Sequence, residues 1–146
     1  MKRKNTFYGY AEDDFYFLKR AIENGNKGNT ICSISQSIVE RFLKQIIVNY
    51  IDDNNDHEEY SNILRAYNLK KIMNFICQNL NDFNLNRSIV MNCNGYYFDS
   101  RYPGNDSFFV NDDDIESCWD SVLKCKEYVD NYINNNPNKI NEFRSE

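Results

Sequence analysis

The stretch from about Thr30 to Ile51 limits the fold more than any other part of the chain. Ile31, Ile34, Ile38, Phe42 and Ile46 form one row at helical spacing, and Val39, Leu43, Ile47 and Tyr50 form its neighbour. Two adjacent rows give an apolar stripe broader than one helix–helix contact covers. A helix of this kind is expected to pack on at least two others.

Those partners are visible in the same pattern. From Ala11 to about Glu23, Phe15, Leu18 and Ile22 share a face that Phe17 and Ala21 widen, and Gly25-Asn26-Lys27-Gly28-Asn29 ends the helix. A third helix is expected over about Ser61 to Asn79, carried by Leu69, Ile72, Met73, Ile76 and Cys77, and a shorter one over about Leu85 to Cys93. The last begins at Asp112-Asp113-Asp114, with Asp113 as N-cap and Glu116 closing a capping box, and runs to about Asn134 before Pro137 stops it. Asp52 to Glu59, acidic and Asn-rich, reads as a surface loop with a solvated His57. No period-two alternation, internal repeat or linker interrupts this order. The expectation is an all-α, antiparallel bundle of four to five helices in a single domain over residues 1–146. The bundle would span about 11–134 and a polar C-terminal tail about 135–146.

Composition narrows the function classes. A net charge of −5 argues against a protein that coats nucleic acid by bulk electrostatics. Lys2-Arg3-Lys4, Lys70-Lys71 and Lys124/Lys126 read as solvated faces. The abundant asparagines sit inside patterned helices, which suggests coding bias rather than a prion-like tract. Five cysteines, Cys32, Cys77, Cys93, Cys118 and Cys125, form no CxxC pair and fall mostly on apolar helix positions, as reduced buried thiols of a cytoplasmic protein would. The start lacks an apolar signal core, and no run of about 18 apolar residues occurs, so neither secretion nor a membrane span is expected. Walker, zinc-spacing, Ser/His/Asp and GxGxxG patterns are missing, so no cofactor or metal is expected. Asp112 to Asp114 read as helix capping, not as a cation site.

The candidate site is the turn Tyr96-Tyr97-Phe98-Asp99-Ser100-Arg101-Tyr102-Pro103-Gly104-Asn105-Asp106. Pro103 fixes its own φ and drives Tyr102 toward an extended conformation, and Gly104 allows a positive φ. Arg101 is thereby held between two helices. Three roles are open to it: bonding helix-end carbonyls or the Asp112–Asp114 carboxylates, binding phosphate, or direct catalysis. Tyr96, Tyr97 and Tyr102 could stack on a base or serve as core or interface aromatics. Glu40, Arg41 and Lys44 lie along one edge of the second helix, where they either line a groove facing the turn or form a solvated i,i+4 pair.

Three stretches in this order resemble the HEPN family of small helical domains. Ser35-Gln36-Ser37-Ile38-Val39-Glu40-Arg41-Phe42-Leu43-Lys44 is similar to the family's second helix, roughly Q-Q-A-x-E-K-x-L-K. Ala66-Tyr67-Asn68-Leu69-Lys70-Lys71-Ile72 is similar to the H-x-L-x-x-L start of the third helix, with Tyr67 in the usual His position. Ser100-Arg101-Tyr102-Pro103-Gly104 resembles the family's R-Y-P turn before the final helix. The resemblance covers about Ala11 to Asn134.

It implies a homodimer with the turns near the interface, in a prokaryotic toxin–antitoxin or defence module that often includes a minimal nucleotidyltransferase. Some relatives are metal-independent ribonucleases that use an Arg followed four to six residues later by His. The Arg steadies the phosphate, and the His moves protons. Here Arg101 is followed through Phe109 by no histidine. The expectation is therefore a dimeric binding or regulatory protein that holds RNA or a nucleotide, or docks a nucleotidyltransferase, without cutting. Its binding residues would be Arg101, Tyr102, Tyr97, Asn105, Arg41 and Lys44. The alternatives are a ribonuclease with an altered site centred on Arg101, and a plain helical dimerisation scaffold.

Overall fold

Thr6 opens the first helix by accepting a hydrogen bond from the Gly9 amide at 3.0 Å, a bond that satisfies one of the bare N–H groups at a helix start. This is helix α1, Phe7–Glu23, in a computed structural model that describes residues 5–53, 56–94 and 109–137. The helix starts four residues earlier than its apolar pattern suggests, because the cap lies upstream of that pattern. It ends in a Schellman arrangement: Asn26 N–H donates to Ala21 O at 2.9 Å and Gly25 N–H to Ile22 O at 3.0 Å. Gly25 takes φ +78° to close this turn.

Helix α2, Asn29–Tyr50, is the axis of the molecule. Ile38, Val39, Phe42, Leu43, Ile46 and Ile47 on it are fully buried, and α1 and the last helix flank it. Each such side chain contributes roughly 1.5–3 kcal/mol on burial. Helix α3, His57–Leu64, and α4, Leu69–Asn79, stand where one helix was expected over 61–79. The break has a local cause. Asn68 turns its side chain back onto the Lys70 and Lys71 amides as an N-cap, and Arg65 closes α3. The expected Asp52–Glu59 loop is correspondingly shorter, and His57 is the first residue of α3 rather than a loop residue.

Helix α5, Arg87–Met91, is a short piece capped by Asn86, and α6, Asp112–Asn135, completes the bundle. The N-cap of α6 is Asn111, paired with Asp114 in a capping box, not Asp113 with Glu116. The sequence offers both registers; the earlier one is selected where Asn29 Oδ1 accepts the Val110 amide at 2.7 Å and fixes the entry of the chain. Tyr8 donates to Asp130 at 2.6 Å while Lys27 pairs with Asp112 at 2.7 Å, so α1 and α6 run in opposite directions. Near the end of α6, Tyr132 donates to Asp82 at 2.7 Å and Tyr128 to Asn84 at 2.8 Å, tying the segment between α4 and α5 onto it. Among the described residues there are six helices and no strand, and the protein is an all-α helical bundle. No helix among them is long and apolar enough to cross a membrane.

Candidate functional site

The turn around Arg101, with Tyr97, Tyr102 and Asn105, lies outside the described residues, as do Lys2 to Lys4 and the end of the expected C-terminal tail. Of the candidate residues, Arg41 and Lys44 on α2 are described, and their settings differ sharply.

Gln36, Glu40 and Lys44 recur at i, i+4 and i+8, so they form a polar stripe along one side of an otherwise apolar helix. All three are buried. Gln36 Nε2 donates to the Tyr67 carbonyl at 2.7 Å, which fixes the α3–α4 linker against α2. Lys44 Nζ donates to Glu40 Oε1 at 2.8 Å, with side chains 5% and 8% exposed respectively. The expected solvated pair is thus a buried ion pair. Among the described residues, the linker and the start of α1 both bring an aromatic ring beside it. Tyr67 places its ring 5.7 Å from the Lys44 ammonium, and Phe7 places its ring 6.0 Å away. Both distances allow cation–π attraction.

Burial pushes the Glu40 carboxyl above its ordinary value of 4.5, and the hydrogen bond and charge of Lys44, together with the Arg41 charge, oppose that rise. Glu40 Oε2 is buried and accepts no hydrogen bond. Arg41, one residue on, points to the rim instead and pairs with Asp14 of α1, both side chains being partly exposed. Its guanidinium can exchange that partner for a phosphate at little cost, because partly exposed pairs are weak. Lys44, by contrast, is buried and already paired with Glu40, so less of its charge is offered to a phosphate.

His57 stands apart from this stripe, with Nδ1 2.9 Å from Asp53 and its side chain largely exposed. Asp112 pairs with Lys27, and Asp114 belongs to the cap of α6. Among the described residues, no group of three or more His, Cys, Asp or Glu side chains is placed to hold a metal ion. Cys32, Cys93, Cys118 and Cys125 are buried and Cys77 is partly so, all as free thiols. Burial pushes the Cys93 thiol up to about 12 and raises Cys125 as well, while a hydrogen bond that the Cys118 thiol donates to Cys32 leads the rise at Cys118. These thiols are poor nucleophiles. A surface groove of about 470 Å³ on α6 is lined by Asp113, Glu116 and Asp120 beside Trp119 and Leu123, and its charge disfavours phosphate.

Sequence reasoning placed Glu40 at the helix edge and missed the depth of its burial. The signal was present: three polar residues spaced by four within a helix of apolar rows. Phe7 carried no such signal. The HEPN domain family model matches residues 6–132, from the cap of α1 to near the end of α6. No curated protein and no solved structure gives a significant match.

Proposed function

Because this chain belongs to the HEPN family, we propose that it works as a dimeric binding or regulatory module that does not cut RNA. In this reading the chain is a single cytoplasmic domain of a prokaryotic toxin–antitoxin or defence module. It holds RNA or a nucleotide around Arg101, or docks a minimal nucleotidyltransferase there. Arg101 meets the phosphate, Tyr97, Tyr102 and Asn105 surround the base or sugar, and Arg41 and Lys44 supply further positive charge from α2.

One observation carries the non-catalytic half of this reading. The chain has a single histidine, and His57 sits exposed on α3 against Asp53, far in sequence from Arg101. Relatives that are ribonucleases place a His four to six residues after the arginine, and the positions after Arg101 hold no histidine.

The test is incubation of end-labelled RNA with purified protein in excess EDTA, with Arg101→Ala in parallel. The expected result is no cleavage by either protein, and RNA binding by the wild type that Arg101→Ala weakens. Cleavage abolished by Arg101→Ala would return the ribonuclease reading. Light scattering gives the oligomeric state, and a monomer at micromolar concentration removes the groove between subunits.

A further inference from the structure

The polar stripe of α2 leaves one bond unmade, and its surroundings define what can complete it. Glu40 Oε1 is held by Lys44, while Oε2 is buried with no partner. A bare buried carboxylate oxygen is costly. The ammonium of Lys44 has three N–H groups and gives one to Oε1; the Phe7 and Tyr67 rings flank it. A ligand that completes this set must bring N–H donors to the carboxylate, an acceptor to the ammonium and a flat face to the rings.

Guanine has all three. Its N1–H and exocyclic N2–H donate side by side, its O6 accepts, and its π face stacks on an aromatic ring. Adenine offers a single donor group beside a ring acceptor and has no carbonyl. Water can bridge the two charges but stacks on nothing. Tyr67 is 49% exposed and lies on the short linker between α3 and α4, and among the described residues its ring and that of Phe7 flank the Lys44 ammonium. A base enters by displacing the Tyr67 ring outward and leaves the apolar rows of α2 intact.

We infer that Glu40, Lys44 and Tyr67 form a recognition site for the base of a guanine nucleotide. The inference rests on the nucleotide- and RNA-binding reading above and narrows it to one base. Glu40 accepts from N1–H and N2–H, Lys44 turns a free N–H to O6, and Tyr67 stacks.

Calorimetric titration of the full chain with guanosine, inosine and adenosine 5′-monophosphates tests it. Guanosine monophosphate is expected to bind about tenfold more tightly than adenosine monophosphate, with inosine monophosphate, which lacks the N2 donors, between them. Glu40→Gln should bring guanosine and adenosine monophosphates to within about twofold of each other. Tyr67→Ala, at a half-exposed position, should weaken all three and keeps the test readable if Glu40→Gln fails to fold. Equal wild-type affinities for the two purines, or a guanine preference that survives Glu40→Gln, overturn the inference, as does water alone bridging the pair with no nucleotide bound. A labelled oligouridylate titrated against wild type and Arg101→Ala separates the two claims. Oligouridylate binding that depends on Arg101 without any guanine preference removes this inference and keeps the broader reading. Binding of guanosine monophosphate without any binding of oligouridylate keeps this inference and removes the RNA half of the broader reading.

Discussion

Two helices of this protein carry the same pair, a carboxylate followed four residues later by a lysine. On α2 it is Glu40–Lys44 at 2.8 Å; on α6 it is Asp120–Lys124 at 2.9 Å. Spacing and bond length barely differ, yet the α2 side chains are 8% and 5% exposed and those on α6 are 49% and 53% exposed. The difference comes from what lies over each helix. Phe7 and the α3–α4 linker cover the first pair, while the second faces solvent. Charges in water interact weakly and lose little by parting. Charges under aromatic rings have given up hydration, and each depends on the other. The same local sequence motif is therefore ornament on one helix and a committed arrangement on the other.

The strongest way to break this comparison is to remove one half of the buried pair. Lys44→Met is expected to destabilise the protein by about 3–5 kcal/mol in urea unfolding at pH 7, because it strands the Glu40 carboxylate. Adding Glu40→Leu should recover most of that loss or exceed the wild type, since matched apolar groups need no hydration. A single Lys44→Met variant as stable as wild type would mean that Glu40 is already neutral, and the pair could not be treated as ionic. Recovery in the double variant separates an energetic burden from a packing need.

A second effect, of up to about 1.4 kcal/mol per pH unit, concerns proton uptake. Burial holds the Glu40 carboxyl above 4.5, so the native state binds this proton more readily than the unfolded chain does. Its contribution to stability is complete below the unfolded value near 4.5 and is lost as pH rises through the folded value. That slope is opposite to the one a surface-paired carboxylate gives. Unfolding free energies for wild type and Glu40→Gln, compared between acid and neutral pH, should show the wild type losing ground to the variant as pH rises. A wild type that gains ground instead would show that the bond from Lys44 outweighs desolvation.

The contrast between the helices also explains what the sequence did and did not disclose. The apolar rows of α2, and with them the all-α bundle, are a local pattern read along one helix. Burial of the Gln36–Glu40–Lys44 edge is not local. It depends on Tyr67, more than twenty residues downstream, and on Phe7, at the start of α1. An i,i+4 carboxylate–lysine pair is usually a solvated face, and on α6 that reading of the motif holds. The split into α3 and α4 was obscured because Ile63 and Leu64 extend the apolar pattern backward across Asn68, whose side chain caps instead. The register of the α6 cap was ambiguous for a related reason, since Asn111 and Asp113 both precede an acidic residue by three.

The cover over the buried pair can itself be loosened, with a smaller expected effect. Asn68 caps α4 immediately after Tyr67, accepting from the Lys70 amide at 2.9 Å and the Lys71 amide at 3.3 Å. Asn68→Ala should cost about 1 kcal/mol, a usual value for an N-cap. If the linker is what buries the pair, the variant should also raise hydrogen exchange at the amides of residues 65–69 relative to those of α6. Lost stability with unchanged exchange in that segment would assign the burial to Phe7 and the α1 start.

The smallest effect belongs to the exposed member of the comparison. Lys124→Ala on α6 should change stability by no more than about 0.5 kcal/mol, the range of a helical surface pair. Salt distinguishes the two sites further. At 1 M ionic strength the screening length falls to about 3 Å, so the Lys124→Ala difference should vanish, while the Lys44→Met difference should persist under its aromatic cover. Matching salt sensitivity at both sites would mean that water reaches Glu40 and Lys44 as freely as it reaches Asp120 and Lys124. The unpartnered Glu40 oxygen would then be hydrated, and would need no ligand to complete it.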